Sequence, residues 1–488
     1  MSSRVPTLSR RGLGILLIGQ MLPLIDFSIL NVALGSIAHT LHASATQLEL
    51  IVAVYGVAFA VGLAAGGRLG DNLGRRRVFG AGVLLFGLAS LLCGVAGSVG
   101  ALLAGRILQG LGAALAVPQI LATIHVSLHG KAHARALALY GSLGGIAFVI
   151  GQVLGGSLVS ANIAGSGWRS VFLINLPFCL LALACLRAVP ETRAARRMPP
   201  DLAGAGLLGL FLACLLLPLA LGPSLHWPPA CLAVLAACLP LLAALARVEL
   251  WQERRGRTPL LPPALLRLPS VRFALLVGGV FFTCWSGFMF VLALTLQTGA
   301  GLSPLQSGNA FIVLGAAYFA SALVSARVAT RCGPLPTLLL GCLVQMLGLL
   351  ALGWTLHAVW PHPGAGNLAP ATALIGAGQA WIVASFYRIG LSQVPTDHAG
   401  AGSAMLSTIL QAAMGLGPAA LGAIYAHAHA HARGGGGGGS LAAMQAALHS
   451  EWLAMLLLVI CALVYLRRQR RAGASSTAPT AALPPLAE

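Results

Sequence analysis

The chain has 488 residues, 58% of them apolar and only 8% charged. Soluble domains cover their surfaces with about 25% charged residues, so a water-soluble globular protein of this length is excluded. The net charge of +19 is scattered over many short segments, which argues against a nucleic-acid partner and for contact with anionic membrane lipids.

Apolar runs of about 20 residues read as membrane-spanning helices. Fourteen can be drawn, with cores at 12–34, 48–69, 78–97, 99–122, 137–160, 170–188, 203–222, 230–248, 273–296, 306–326, 336–356, 369–388, 402–426 and 448–466. The last is short, and spans seven and eight carry internal prolines. Of the 29 Lys and Arg, all but Arg106, Arg169 and Arg433 fall before span one, after span fourteen, or at even-to-odd junctions. Lys and Arg are enriched on the cytoplasmic side, which predicts an even span count and two cytoplasmic termini. Span one follows the short polar N-terminus directly and reads as an uncleaved signal anchor. The ten cysteines include no C-x-x-C pair and read as small packing residues rather than a disulfide or metal framework.

The junction from Gly67 to Gly74 is echoed by Ala326 to Gly333: shifted by 259 residues, Arg68 meets Arg327 and Gly74 meets Gly333, while Thr330 stands for Asp71. Parallel repeats of this kind build secondary transporters. The expected division is a first six-helix half at 1–190, two additional helices with cytoplasmic linkers at 191–270, a second six-helix half at 271–471 and a disordered tail at 472–488. The two added spans are expected at the periphery. Gly434–Gly439 reads as a flexible loop.

Few residues in these spans can carry chemistry. Asp26 lies near the middle of span one, where an ionisable group costs roughly 2.5–3.5 kcal/mol and marks a functional site by default. Arg106, inside span four, is its natural counter-charge. Glu49 opens span two and reads first as a helix cap. The loop around Gly67, Asp71, Gly74 and Arg75 is either a topogenic turn or a charge-sensing latch. Gly151, Gly155 and Gly156, with Gln152 among them, give span five a smooth face suited to close helix contact. Asn31, Tyr55, Gln109, Trp285, Gln297 and Gln379 are candidates to line a substrate cavity. His125, His129 and His133 lie along one helical face, and His427, His429 and His431 alternate, but neither set has an acid or thiol ligand nearby. No metal and no cofactor are expected.

Several strings resemble a known family. Gly67 to Arg77 is similar to the G-x-L-a-D-r-x-G-r-r-x signature of the major facilitator superfamily. Leu24 to Leu34 resembles the span-one stretch L-D-x-T-I-V-N-V-A-L-P of its fourteen-span drug/proton antiporters, with Gly35 in place of Pro. Gly105 to Ala113 resembles the span-four signature. Gly151 to Gly156 resembles the antiporter motif G-P-x-x-G-G, with Gln152 in place of Pro. Trp168 to Pro177, Leu302 to Gly308 and Val394 to Gly400 extend the likeness along the chain. The resemblance implies an all-α polytopic membrane protein with the major facilitator fold. It implies a proton-coupled exporter of drugs, antimicrobials or metabolites in the cell inner membrane, and no enzyme. Asp26 and Arg106 would couple protons, Asp71 would latch the cytoplasmic side by docking on the start of span thirteen, and span five would gate. Small-molecule substrate, protons, membrane lipids and a periplasmic adaptor are the implied partners. The altered Gln152 leaves uptake or another coupling ion as an alternative. A membrane metalloenzyme, resting on the His125–His129 pair alone, is a remote one.

Overall fold

The computed structural model describes residues 8–128, 130–193, 201–222, 225, 227–255, 259, 261, 263–394, 399–432 and 437–476. His129, parts of the two linkers, Pro395–His398, Arg433 with Gly434–Gly436, and the tail beyond Ser476 lie outside the described residues.

The described chain is helical, without strands. In the first half run α1 (Arg10–Leu41), α2 (Ala45–Leu73), α3 (Arg75–Gly94), α4 (Val99–Ser127), α5 (Gly130–Ala161), α6 (Ser170–Leu173) and α7 (Asn175–Ala184). Next come α8 (Leu202–Leu221), α9 (Pro229–Ala236), α10 (Cys238–Arg254) and α11 (Pro263–Leu266). The chain ends with α12 (Pro269–Leu294), α13 (Pro304–Asn309), α14 (Ile312–Cys332), α15 (Pro334–Val359), α16 (Ala365–Leu391), α17 (Ala399–His431) and α18 (Gly437–Ser476). Among the described residues, twelve helical segments are long and apolar enough to cross a membrane. Two shorter apolar stretches, Ile150–Ala161 and Ala203–Leu219, fall where spans five and seven are expected.

The polar residues between the apolar runs fix the helix ends. Ser44 and Gln47 form a capping box, as do Ser303 and Gln306, and Ser9, Ser98 and Asp201 accept from the first-turn amides of α1, α4 and α8. Each arrangement satisfies donors that a helix start leaves open. Several expected spans are broken helices: span six divides at Ile174, span eight at Ala237 and span ten at Ala310.

At the chain's end the sequence expectation needs correction. Gly437–Gly439 is the first turn of α18 rather than loop, and Ala472–Ser476 is its last turn rather than disordered tail. The 40-residue helix therefore begins well before the expected span fourteen.

Helix pairings repeat along the chain. The α1–α5, α2–α4 and α3–α4 packings have counterparts in α12–α17, α14–α16 and α15–α16. Backbone detail repeats as well. A methyl at Gly151 would collide with Ser28 and the Ile25 carbonyl, and one at Gly417 with Ser286 and the Thr283 carbonyl. Likewise Gly82 abuts Gly112 as Gly341 abuts Gly378.

The added helices sit differently from expectation. α8 is not peripheral: it packs on both α2 and α17, with Gly209 against Val61 and Leu216 near Gly415. α9 and α10 lie outside α8, and only 17% of that apolar window is buried, as expected of a lipid-facing layer.

Both α2–α3 and α14–α15 turn on a glycine with positive φ, 107° at Gly74 and 90° at Gly333, where L side chains are strained. A methyl at Gly74 would also lie 2.5 Å from Glu191 Oε1, whereas one at Gly333 would meet only Pro336 Cδ at 3.7 Å. Both Gly→Ala variants are expected to lose about 1–3 kcal/mol from backbone strain, with Gly74→Ala the worse. Thermal-shift measurements on the two purified variants check the order; equal losses would remove Glu191 from the account.

Candidate functional site

Asp26 and Arg106 are both fully buried and joined through Oδ2 and Nη1. The pair anchors a larger polar cluster. Arg106 also donates from Nη1 to Gln109 Oε1 at 2.9 Å and from Nε to the Ile51 carbonyl at 3.2 Å. Its guanidinium carbon lies 4.1 Å from the Tyr55 ring centroid, a favourable cation–π position. The other carboxylate oxygen of Asp26 accepts from Gln109 Nε2 at 3.0 Å and from Asn175 Nδ2 at 2.8 Å. Ser90 Oγ accepts from both amides, at 2.8 and 3.3 Å. Tyr55 is held by its hydroxyl, which donates to the Pro23 carbonyl at 3.0 Å. Five helices thus converge on one carboxylate–guanidinium pair.

A cavity lies beyond this cluster, toward the face that carries Arg10 and the α2–α3 turn. It is lined by Gln20, Tyr140, Phe282, Trp285, Tyr318 and Tyr387, with Leu24, Val117, Val383 and the α17 residues Ser407, Leu410, Gln411 and Met414 completing it. Among the described residues no charged side chain lines it. Phe282, Trp285 and Tyr318 form a stack, with centroids 5.8 Å apart at each step.

On the opposite face the halves are in contact. Leu305 N donates to Ser160 Oγ at 3.2 Å. A methyl at Gly156 would lie 2.5 Å from the Pro304 carbonyl, and one at Gly308 would lie 2.7 Å from that of Gln152. Gly151 and Gly155 turn to the α1 backbone around Ser28 and Ile29. The α5 glycines therefore serve two interfaces at once.

Of the six residues expected to line a cavity, Trp285 does so here. Tyr55 and Gln109 belong to the Asp26 cluster. Asn31 and Gln379 are buried with their amides unpartnered, as is Gln152, and Gln297 Nε2 bonds Ser307 Oγ at 3.4 Å near the closed face. Asn175 and Ser90 are cluster members that sequence reasoning did not assign, although an amide within an apolar span was the available signal. Tyr140, Tyr318 and Tyr387 gave no such signal.

Asp71 bonds Arg75 of its own loop at 2.7 Å. The loop is tied to the start of the linker that follows the first half: Arg75 N donates to the Thr192 carbonyl at 2.8 Å, and Glu191 accepts from Arg76 N at 3.1 Å. The expected docking partner, the start of span thirteen, is the N-terminus of α17 at Ala399; the loop before it, Pro395–His398, lies outside the described residues. Of the histidines, His125 and His133 are within 2.8 Å of each other and His431 Nδ1 lies 2.8 Å from the His427 carbonyl, but no group of three metal-ligating side chains occurs among the described residues.

The sequence matches the family model of the Major Facilitator Superfamily over residues 16–418 and 274–486. The chain belongs to this superfamily. Among its relatives, a "Probable actinorhodin transporter" of Streptomyces coelicolor is 36% identical over 433 residues, spanning 86% of this chain and 73% of that one. The "Puromycin resistance protein pur8" of Streptomyces alboniger is 33% identical, covering 85% of this chain and 81% of its own. "Drug efflux pump JefA" of Mycobacterium tuberculosis is 31% identical over 86% and 80%. The fold matches those of a POT family transporter solved with 5-aminolevulinic acid (TM-score 0.67, 12% identity, 94% and 99% coverage) and the human organic anion transporter MFSD10 (TM-score 0.60, 18% identity, 93% and 99% coverage). A major facilitator is a multi-pass membrane protein, so the Asp26 cluster lies at membrane depth.

Charges removed from water this completely are tolerable only together. Arg106→Gln and Asp26→Asn should each destabilise the superfamily fold, Arg106→Gln by about 3–5 kcal/mol because it leaves a buried charge uncompensated. The double variant should lose less than the sum. Detergent melting curves of all three proteins check this; additive losses would mean that the pair is not coupled.

Proposed function

We propose that this chain is a proton-coupled antiporter that exports small organic molecules by alternating access between two six-helix halves. The observation that carries the reading is the fully buried Asp26–Arg106 pair beside an uncharged aromatic cavity. Export is supported by the relatives' names, which include a transporter, a resistance protein and an efflux pump. Protonation of Asp26 discharges the carboxylate and releases its claim on Arg106, and substrate binding and proton binding then favour different arrangements of α1 and α4. The change has a direct route to the gate. Ile25 and Ile29, which flank Asp26 on α1, are the residues whose backbone meets the α5 glycines, and α5 meets the second half at Pro304 and Gly308. Asn31, Gln152 and Gln379, buried here without partners, would gain water when that face opens, which offsets the cost of opening.

The proposed placement is the cell inner membrane with fourteen spans and both termini cytoplasmic. The supporting observation is the one-sided distribution of Lys and Arg; the cavity then faces the cytoplasm in this conformation. The halves are 1–190 and 271–471, with 191–270 carrying the added pair. Anionic lipids meet the basic cytoplasmic loops, and a periplasmic adaptor would meet the opposite face.

Reconstituted Asp26→Asn is expected to fold and to lose efflux driven by an imposed pH gradient. Proteoliposome transport with and without the gradient measures this, and wild-type gradient dependence in the variant would sink the proposal.

The Asp71 loop is read as a latch. In the outward-facing state Asp71 would exchange Arg75 for the N-terminus of α17, a charge–dipole contact of about 0.3–2 kcal/mol. Asp71→Asn should shift the resting population toward the inward-facing state and slow turnover. Labelling of single cysteines placed in the cavity checks this; an unchanged pattern and rate would leave the loop a topogenic turn.

A further inference from the structure

The second half holds a buried acid that the coupling scheme above does not use. Glu451 of α18 is 1% exposed, and α18 is a membrane-crossing helix that begins at Gly437, so the carboxyl lies near its middle in the membrane. Gln345 Nε2 of α15 donates to Glu451 Oε1 at 2.9 Å. The other oxygen, Oε2, has no hydrogen-bond partner, nor does Gln345 Oε1.

The internal repeat places this carboxyl. Ser28 and Ser286 are equivalent, because each faces the matching glycine of the fifth helix of its half and each bonds the carbonyl three residues back. Two positions before them stand Asp26 and Cys284. The Gly112–Gly82 contact matches Gly378–Gly341, and six residues before Gly112 and Gly378 stand Arg106 and Thr372. Where the first half has Asp26 and Arg106, the second therefore has Cys284 and Thr372. In the first half Asn175, on the sixth helix, reaches Asp26. In the second half the sixth helix supplies Glu451, which is bonded to Gln345 of the third. The acid has moved from the first helix of its half to the sixth, and the arginine is gone.

No cation answers Glu451 among the described residues. α15 faces it with Gln345, and α12, which packs on α18, carries the buried thiol of Cys284. α17 has no charged side chain in its described part, and its titratable groups Tyr425, His427, His429 and His431 lie at its far end. The short π turn after α12 has none. On α18 itself His449 is exposed. A buried carboxylate without a counter-charge is costly, and the neutral acid removes that cost.

We propose that Glu451 is a second proton-exchanging carboxyl, the counterpart in the second half of the Asp26 centre, so that each half of the transporter carries one protonatable site. The inference rests on the proton-coupled reading for its purpose but not for its test. The probe is the proton alone: infrared difference spectra of the purified chain in lipid nanodiscs, between acidic and alkaline buffer, read in the carboxyl stretching region. With only ten Asp and Glu in the chain, few carboxyls contribute. Wild type should show a buried-carboxyl band that Glu451→Gln loses and Asp26→Asn retains. Gln345→Leu, which keeps the acid and removes its hydrogen bond, should shift that band, and this variant keeps the test open if Glu451→Gln yields no folded protein. A wild-type spectrum fully retained in Glu451→Gln, or a band unmoved in Gln345→Leu, overturns the proposal and makes Glu451 a packing residue.

Discussion

Two opposite charges buried together at membrane depth constrain the first half more than any other feature. Asp26 and Arg106 are separately intolerable in this medium, and together they are tolerable only with most of their remaining lone pairs and protons satisfied, Arg106 Nη2 being the one nitrogen or oxygen of the pair without a hydrogen-bond partner among the described residues. That requirement sets the depth at which α1 meets α4. It brings Asn175 from α7 and Ser90 from α3 to the same point, and it orients Tyr55 of α2 over the guanidinium. The helices of the first half are thereby registered against one another by polar contacts. Apolar packing alone fixes register poorly in a bilayer, where lipid tails are as apolar as leucine.

Much of this was legible in the sequence. Hydropathy marked the apolar runs, twelve of which are long membrane-crossing helices among the described residues, and a charge inside an apolar run is hard to miss, so Asp26 and Arg106 stood out and were found bonded. Gly74 and Gly333 were legible as turn glycines because both halves repeat the pattern. Glu451 was not legible. Gly434–Gly439 read as loop and the last span was drawn from residue 448, which put its start beside the acid, whereas α18 begins at Gly437. The leucine and alanine stretch from Leu441 to Leu448 was the signal to extend the helix. The cavity was illegible for a different reason. Tyr140, Tyr318 and Tyr387 lie in spans that are apolar on all sides, where no periodicity separates a ring facing the cavity from one facing a neighbour or lipid. The position of α8 was hidden likewise, since a uniformly apolar helix declares no preferred face.

The two halves share a backbone frame and differ in what they load onto it. Close glycine contacts recur at matching positions because they are demands of helix packing. The polar residues do not recur, since a polar side chain at membrane depth is costly unless it is used. The stack of Phe282, Trp285 and Tyr318 belongs to the second half alone, while the Asp26 network belongs to the first. In this chain the aromatic stack and the ion pair are thus carried by different sets of helices.

The seat of α8 has a mechanical consequence. Because it touches α2 of one half and α17 of the other, no relative rotation of the halves leaves both of its contacts intact: one must slide or part. The contact surfaces suit sliding, being made of Gly209 against Val61 and of Leu216 beside Gly415, with Leu219 near Ala53 and Ala419, and none of these makes a polar bond that would have to break. What parts is re-covered by acyl chains at little cost, so the added helix can ride on the joint as a lubricated bearing does, keeping the seam lined while it moves.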